Sequence, residues 1–125
     1  FLPPPERRGL VLIDPPFEEK DEFATLEAEF IAAHRKWPTG IYALWYPVKD
    51  RRAVENLLSA IMAAGIGKLL RLEINVDRPE AAGGLSATGL LVVNPPWTLA
   101  DEARILLPAL TERLGQGPVS YTHLT

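Results

Sequence analysis

The chain has 125 residues, a net charge of −3 at pH 7 and no cysteine. A chain of this length forms at most one small domain, and the lack of cysteine excludes disulfides, thiolate metal sites and cysteine nucleophiles. Its acidic balance argues against a free-standing nucleic-acid module, which is usually basic, although an enzyme with a local basic patch is still allowed.

The first strand and helix are predicted in the amino-terminal third. Residues 1–8, with Pro3-Pro4-Pro5, are expected to form an extended linker. Leu10 to Ile13 is a continuous apolar run that ends at Asp14-Pro15-Pro16, which favours a strand buried on both faces. From Glu19 to Trp37 apolar residues recur at helical spacing, with acidic residues at the start and basic residues at the end, as the helix dipole favours.

A second strand, a second helix and a third strand follow. Ile41 to Tyr46 is another apolar run, closed by Pro47. Asp50 is a suitable N-cap for a helix with apolar residues on one face and Gly65 at its end. Apolar and polar residues alternate from Leu70 to Val76, which predicts a half-exposed strand near a sheet edge.

Two more elements complete the pattern. Gly89 to Asn94 predicts a buried strand, which ends at Pro95-Pro96-Trp97. Thr98 is a suitable cap for a final helix, in which Pro108 should introduce a kink or an early end. We expect this helix to bury an apolar stripe made of Leu99, Ala103, Leu106, Leu110 and Leu114.

The predicted order of elements is therefore β-α-β-α-β-β-α. Alternating buried strands and helices are typical of an α/β fold with a largely parallel sheet. The direct step between the last two strands adds a terminal antiparallel strand. In this interpretation residues 9–117 form the domain and residues 118–125 form a tail.

Two loops share the pattern Asp/Asn-Pro-Pro-aromatic, Asp14 to Phe17 and Asn94 to Trp97. Both follow a predicted buried strand, and ligands of open α/β sheets bind outside the carboxyl ends of the strands. This pattern suits an exocyclic adenine amine, a poor nucleophile because its lone pair is delocalised into the ring. A side-chain oxygen and a backbone carbonyl, held rigid by prolines, can accept both N–H hydrogens while the aromatic ring stacks on a flipped base. The alternative is a Pro-Pro turn that ends a strand, with the aromatic ring in the core, and four residues alone do not decide between the two.

Three segments carry a wider resemblance, namely Arg8 to Glu18, Thr39 to Val48 and Gly89 to Trp97. In order and at compatible spacings, from about Arg7 to Leu114, they closely resemble the RlmJ family of bacterial 23S ribosomal RNA adenine-N6 methyltransferases. The resemblance implies the C-terminal half of a Rossmann-like methyltransferase domain. It also implies S-adenosylmethionine as the methyl donor and adenine 2030 of 23S ribosomal RNA as the substrate.

The resemblance also distinguishes the two loops. In the family the Asp-Pro-Pro-aromatic loop follows the fourth strand, which corresponds to Asp14 here, and three predicted strands and three helices follow Asp14 whereas one helix follows Asn94. It implies that Asp14 contacts the donor and accepts a hydrogen bond, and finally a proton, from the amine. Pro15 would offer its carbonyl and Phe17 would stack on the base. Asn94 to Trp97 would then be structural, with the Trp97 ring packed on the last helix.

The chain also departs from the family. Members are longer, and their donor-binding strands and glycine-rich turn precede the catalytic loop, where this chain has 13 residues. We therefore expect a fragment, with most of the donor site outside the chain. Gly65-Ile66-Gly67 is a weak candidate for a donor loop, because it lies between a helix and a strand. Residues 118–125 do not resemble the end of the family's sequences, and we expect that they are not native.

Six further residues are candidates for contact with the RNA: Lys49, Arg51, Arg52, Trp45, Tyr46 and Pro16. The three basic residues follow the carboxyl end of the second predicted strand, at the same edge as Asp14, where RNA phosphates could bind. A solvated helix start is an equal alternative for them. The two aromatic residues before Pro47 could line the adenine pocket, but core packing is the favoured alternative.

The sequence is also compatible with other classes of function and partner. The chain could be an inactive partial domain with a structural or interaction role, or it could act on DNA adenine or a protein amide, since the same loop serves those reactions. Half a sheet would expose a strand edge and favour self-association. His34 and His123 are isolated, so no metal site is expected. No apolar run approaches the ~20 residues of a membrane helix and no signal peptide is visible, so we expect a cytoplasmic protein without a membrane partner.

Overall fold

The computed structural model describes residue 5 and residues 8–15, 22–75, 87–114 and 119–124. The predicted β-α-β-α-β-β-α order is confirmed, and one strand that was not predicted follows it, inside the stretch expected to be a tail. In chain order the elements are β1 (Leu10–Ile13), α1 (Glu22–Lys36), β2 (Ile41–Val48), α2 (Arg51–Ala63), β3 (Leu69–Asn75), β4 (Ala87–Val93), α3 (Leu99–Leu114) and β5 (Val119–Leu124).

The strands form one mixed sheet in the order β1-β2-β4-β3-β5. The expectation of a largely parallel sheet is wrong, because among the described strands only β1 and β2 pair in parallel. β4 runs backwards between β2 and β3, so these two strands point the same way without touching each other. The predicted antiparallel strand is present, but its expected terminal position is wrong, because it lies inside the sheet, where it separates strands that would otherwise pair in parallel.

Helices cover both faces of the sheet. Strand residues alternate between the faces, and the side chains of Tyr42, Leu44 and Tyr46 pack in a core cluster with α1 and α2. On the other face Leu70, Leu72 and Val92 pack against α3 in a second cluster. The protein is therefore a layered α/β fold with β4 at the centre of its sheet.

The ends of α2 are those that the sequence predicts. The Asp50 side chain accepts a hydrogen bond of 3.0 Å from the backbone N–H of Arg52, as an N-cap does. Gly65 follows the helix with φ of 83°, a left-handed conformation that suits glycine. β2 does not end before Pro47 but continues through it to Val48. β1 pairs with β2 only as far as Leu44, so beyond that residue the β1 side of β2 has no strand partner among the described residues. Pro47 lies in this unpaired part, where a residue without a backbone N–H is tolerated.

Two predictions about burial are wrong. In β1 the side chains of Leu10 and Leu12 are 64% and 68% exposed, although the run was expected to be buried on both faces. In α3 the exposed fractions of Leu106 and Leu110 are 56% and 45%, whereas Leu107 is buried. α3 has apolar residues on two faces, and it covers β3 and β4 but not β1. The apolar residues in the sequence therefore did not indicate which face of each strand or helix is covered by another element.

No helix among the described residues combines the length and the apolar character that a membrane span needs.

Candidate active site

Asp14 lies directly after the carboxyl end of β1, and its side chain is exposed. With Pro15 it lines a hollow of about 490 Å3 between the end of β1 and the first turns of α1. The other residues that line this hollow are Leu12, Ile13, Glu22, Thr25, Leu26 and Glu29. The strand thus places the first two residues of the predicted catalytic loop at an open, concave site. Pro16 and Phe17, the other half of that loop, lie outside the described residues.

The hollow beside Asp14 is acidic. Glu22 and Glu29 lie one above the other on α1 and face the hollow with Asp14. One oxygen of Glu22, Oε2, is buried without a hydrogen-bond partner among the described residues. Such surroundings repel phosphate and attract a cation or an amine N–H. The chemistry of the hollow therefore suits a cationic group or an N–H donor.

The three predicted basic contacts lie at the same edge as Asp14, as expected, but farther along it. β1 and β2 are parallel and in register to Ile13 and Leu44, and β2 continues four residues beyond, to Val48. Lys49 is five residues beyond Leu44, so at ~3.3 Å per residue it lies about 16 Å beyond the level at which β1 ends. The basic side chains and the acidic hollow are thus adjacent regions of one edge.

Arg51 differs from its two basic neighbours because it is already paired. Its Nη1 donates a hydrogen bond of 2.8 Å to Oε1 of Glu73 and lies 3.8 Å from Glu55. Lys49 and Arg52 are exposed, and among the described residues neither side chain forms an ion pair. A contact with phosphate is therefore better supported for these two than for Arg51, whose charge is largely satisfied within the protein.

Tyr46 does not reach the surface. Its ring has no exposed area, and its hydroxyl donates a hydrogen bond of 3.0 Å to Oε2 of Glu73. Gly89 of β4 lies between the two strands, and a Cβ there would overlap the Tyr46 ring. Burial, reinforced by the charge of Glu73, raises the pKa of Tyr46 well above its usual value. The geometry fits the core-packing alternative rather than a contact with a base.

Glu73 is the residue at this site that the sequence analysis missed. It lies on β3 with 4% of its surface exposed and accepts hydrogen bonds from Tyr46, Arg51 and Arg71. Burial alone would raise the pKa of Glu73, but the hydrogen bonds from the two guanidinium groups outweigh it and hold the pKa below its ordinary value. Alternation in β3 predicted a solvent-facing glutamate. The signal that could have corrected it is Gly89, whose missing side chain makes room for the tyrosine.

Trp45 points to the opposite face from Tyr46 and is partly exposed. It lines a smaller hollow of about 230 Å3 beside α3, together with Leu72, Ile74, Thr88, Gly89, Leu90 and Leu107. This hollow lies on the α3 face, whereas the hollow at Asp14 is bounded by α1 on the other face. The structure thus does not bring Trp45 into the hollow that contains Asp14.

The second Pro-Pro loop lies at the opposite edge of the sheet. β4 is antiparallel to its neighbours, so its carboxyl end meets the start of β2, and Asn94 follows there. The Asn94 amide donates hydrogen bonds of 2.9 Å and 2.8 Å to the carbonyls of Pro38 and Gly40. These bonds fit the structural role expected for Asn94. The packing expected for Trp97 is wrong, because 90% of its surface is exposed at the start of α3. Gly65-Ile66-Gly67, weighed as a donor loop, precedes β3 at this same edge, away from Asp14.

Within the described parts of the chain no group of three or more His, Asp or Glu side chains is arranged to hold a metal ion.

Comparison with known proteins identifies the family. A family model described as ribosomal RNA large subunit methyltransferase D, RlmJ, matches residues 1–123. The chain belongs to this family. The match includes both Pro-Pro loops and all the described helices and strands, and it ends at residue 123, within β5.

Individual relatives agree with this assignment. The chain is 42% identical over 122 residues to ribosomal RNA large subunit methyltransferase J of Haemophilus influenzae and 40% identical over 113 residues to the protein of the same name in Escherichia coli. A crystal structure of a Legionella pneumophila protein of the DUF519 family superposes with a TM-score of 0.84 at 36% identity and covers 97% of the chain. The chain spans 43% and 40% of the two methyltransferases and 45% of the crystallised chain.

Proposed function

We propose that this chain forms the amine-binding part of a Rossmann-like methyltransferase that transfers a methyl group from S-adenosylmethionine to N6 of adenine 2030 in 23S ribosomal RNA. The observation that carries the proposal is the position of Asp14, exposed in an acidic hollow at the carboxyl end of β1. Membership of a ribosomal RNA methyltransferase family supports the reaction class and the kind of substrate. Such a substrate would place the enzyme in the cytoplasm, where bacterial ribosomes are assembled.

In the proposed mechanism Asp14 orients the amine. One carboxylate oxygen accepts an N–H hydrogen bond, and the backbone carbonyl of Pro15 accepts the second, so the nitrogen lone pair is drawn out of conjugation with the ring. The fixed oxygens stabilise the positive charge that develops on nitrogen. Asp14, or water beside it, then takes the proton. Phe17, outside the described residues, would stack on the flipped base.

The donor would supply a methyl group on a positively charged sulfur. The residues present fit a cation, because three carboxylates line the hollow at Asp14. They do not form a complete donor site, and we assign most of it to the part of the family's length that this chain does not span. Asp14 is the residue of this chain that we propose to contact the donor.

The RNA backbone would lie farther along the same edge. Lys49 and Arg52, exposed and without ion pairs among the described residues, are proposed to contact phosphates. Arg51 would act indirectly, because its charge is held by Glu73. Self-association through the open edge of β1 is proposed as a further property of the isolated chain.

A chimera tests the proposed function. Residues 1–114 of this chain would replace the matched segment of the Haemophilus relative, in cells that lack their own enzyme, and N6-methyladenine in 23S ribosomal RNA would be measured by mass spectrometry of RNA digests. We expect methylation by the chimera and none after Asp14→Ala, since the amine loses its acceptor. Asp101→Ala, at an exposed aspartate of α3, is the matched control and should retain activity.

Three results would contradict the proposal. Full activity after Asp14→Ala, with the chimera expressed at equal levels, would assign catalysis to another residue. Methylation of DNA adenine or of a protein amide, with none in ribosomal RNA, would change the substrate class. If the chimera folds and binds donor but methylates nothing, this chain is an inactive partial domain with a structural or interaction role, which its short span relative to its relatives makes the second candidate.

A further inference from the structure

A second hollow, of about 500 Å3, lies at the edge of the sheet opposite to Asp14. It is bounded by the end of α1, the connection from α2 to β3 and the loop after β4. The residues that line it are His34, Pro38, Thr39, Gly67, Lys68, Asn94 and Pro95. None of these is acidic, in contrast to the hollow at Asp14.

One cation, Lys68, lines this second hollow, and two more follow the lining residue His34 at the end of α1. α1 ends with His34, Arg35 and Lys36, and the last two are exposed. Lys68, from a different part of the chain, is exposed on another side of the hollow. Among the described residues none of these three long side chains forms an ion pair. Burial lowers the pKa of His34, so at neutral pH it offers hydrogen bonds rather than charge. The chain is acidic as a whole, so a local excess of positive charge here suits a polyanion.

The backbone at this hollow has an unusual conformation. Lys68 and Asn94, both with φ of 54°, are the two non-glycine residues of the described part that adopt positive φ. Asparagine tolerates this region, but a lysine there is uncommon and strained. The Asn94 N–H donates a hydrogen bond of 2.9 Å to the Lys68 carbonyl, which couples the two turns. The Lys68 side chain is thus presented by a fixed backbone.

An exposed aromatic ring lies beside the hollow. Trp97 follows Pro95, a lining residue, by two positions, and 90% of its surface is in contact with solvent. Pro95 and Pro96 restrict the loop that carries it. Farther along α3, the carboxylate of Asp101 forms an ion pair with the guanidinium of Arg104 at 3.1 Å. A large exposed indole next to unpaired cations is the combination with which proteins bind single-stranded nucleic acid, through stacking and phosphate contacts.

We propose that this hollow and Trp97 form a second RNA-binding surface, in which Lys68 and Lys36 contact phosphates and Trp97 stacks on an unpaired base. The inference rests on the proposed function only in taking RNA as the substrate. β1 connects the two edges and is in register with residues 41–44 of β2, so at ~3.3 Å per residue Asp14 lies about 13 Å along the strand direction from the start of β2. One folded RNA segment can therefore contact the Asp14 edge and this edge at the same time.

Binding of a short single-stranded RNA to the 125-residue chain, followed by fluorescence anisotropy, tests the surface. Trp97→Ala should weaken binding about 5- to 100-fold, the range that loss of one stacked base gives. Lys68→Gln should reduce the slope of log Kd against log salt by about 0.7, because one phosphate contact is lost. Inorganic polyphosphate, which has no base, should respond to Lys68→Gln and not to Trp97→Ala.

Two matched variants control for general effects. Ile105→Ala removes another exposed apolar side chain of α3, and Arg104→Gln removes a cation that is already ion-paired, so both should leave RNA binding unchanged. RNA binding that is undetectable in the parent chain, or equal in the parent, Trp97→Ala and Lys68→Gln chains, would overturn the inference. Neither result would alter the outcome of the methylation test on Asp14.

Discussion

The hydroxyl of Tyr46 on β2 donates a hydrogen bond to the carboxylate of Glu73 on β3, across the intervening strand β4. Gly89 makes this possible, because the ring lies where any other side chain would project. Arg51 at the start of α2 donates to the same carboxylate. One buried glutamate thereby joins two strands and a helix near the edge where the candidate active site lies.

The first prediction concerns this glutamate. Glu73→Gln should lower the free energy of unfolding at pH 7 by about 2–3 kcal/mol, since hydrogen bonds to a charged group are replaced by weaker ones. The folded pKa of Glu73 is below its ordinary value of 4.5, so the stabilisation is present above that value and is lost as pH falls through the folded pKa. Urea unfolding at a series of pH values should show the two proteins converging below pH 4.5.

Glu55→Gln is the control for that measurement. Glu55 also pairs with Arg71, but its side chain is 49% exposed, so its loss should cost less than about 1 kcal/mol. A constant difference between Glu73→Gln and the parent chain from neutral to acid pH would show that the glutamate is not held ionised by its neighbours.

The second prediction concerns Gly89, which lies against the ring of Tyr46. Gly89→Ala should destabilise the fold by about 1–3 kcal/mol, because the new methyl group overlaps the Tyr46 ring in a packed core. Gly67→Ala is the matched control, because nothing lies within 4 Å of its new Cβ, and its effect should stay below about 0.5 kcal/mol. Thermal unfolding measures both. Equal melting temperatures for the two variants would contradict the close approach of Tyr46 to Gly89.

The third prediction concerns the methyl donor. Isothermal titration of the 125-residue chain with S-adenosylmethionine should show no measurable binding, because most of the donor site is assigned to the part of the family's length outside this chain. The full-length Haemophilus relative, of which the chain matches 43%, is the positive control. Micromolar affinity of the short chain, abolished by Asp14→Ala, would place the donor site within residues 1–125 instead.

The fourth prediction concerns the open edge of β1. Its outer side has no strand partner among the described residues, and Leu10 and Leu12 are largely exposed beside it. Edges of this kind pair with other chains, and lysine blocks such pairing. Sedimentation velocity over a range of concentrations should show reversible association of the parent chain and less of it in Leu12→Lys. Ile105→Lys, at a site 75% exposed on α3, should not reduce it; an equal effect of both would move the interface away from β1.

Local patterns predicted the elements of the fold well. The cap at Asp50, the stop at Gly65 and the position of Asp14 after a strand all depend on interactions within a few residues, which the sequence displays directly. The order of the strands depends instead on which elements meet in space. Nothing in the apolar run of β4 indicates that it inserts between β2 and β3.

The same distinction explains the candidate site. Asp14 could be placed at its edge from strand order and chain direction alone. Glu73 could not be found, because a polar residue that alternates with apolar ones looks solvent-facing until its partners on other strands are known. The opposite failure occurred at Trp97, where a large apolar side chain was expected to be buried and is exposed. Burial is a property of neighbours, and an isolated segment does not contain them.

The backward course of β4 has a consequence for the order of events during synthesis. β2 and β3 are complete when residue 75 has been made, yet neither pairs with the other, and both pair with β4, which ends at Val93. The centre of the sheet therefore closes only after residue 93 has left the ribosome. Until then β2 can pair with β1 alone and both edges of β3 lack their strand partners, which makes this interval the one in which a chaperone would protect the nascent chain.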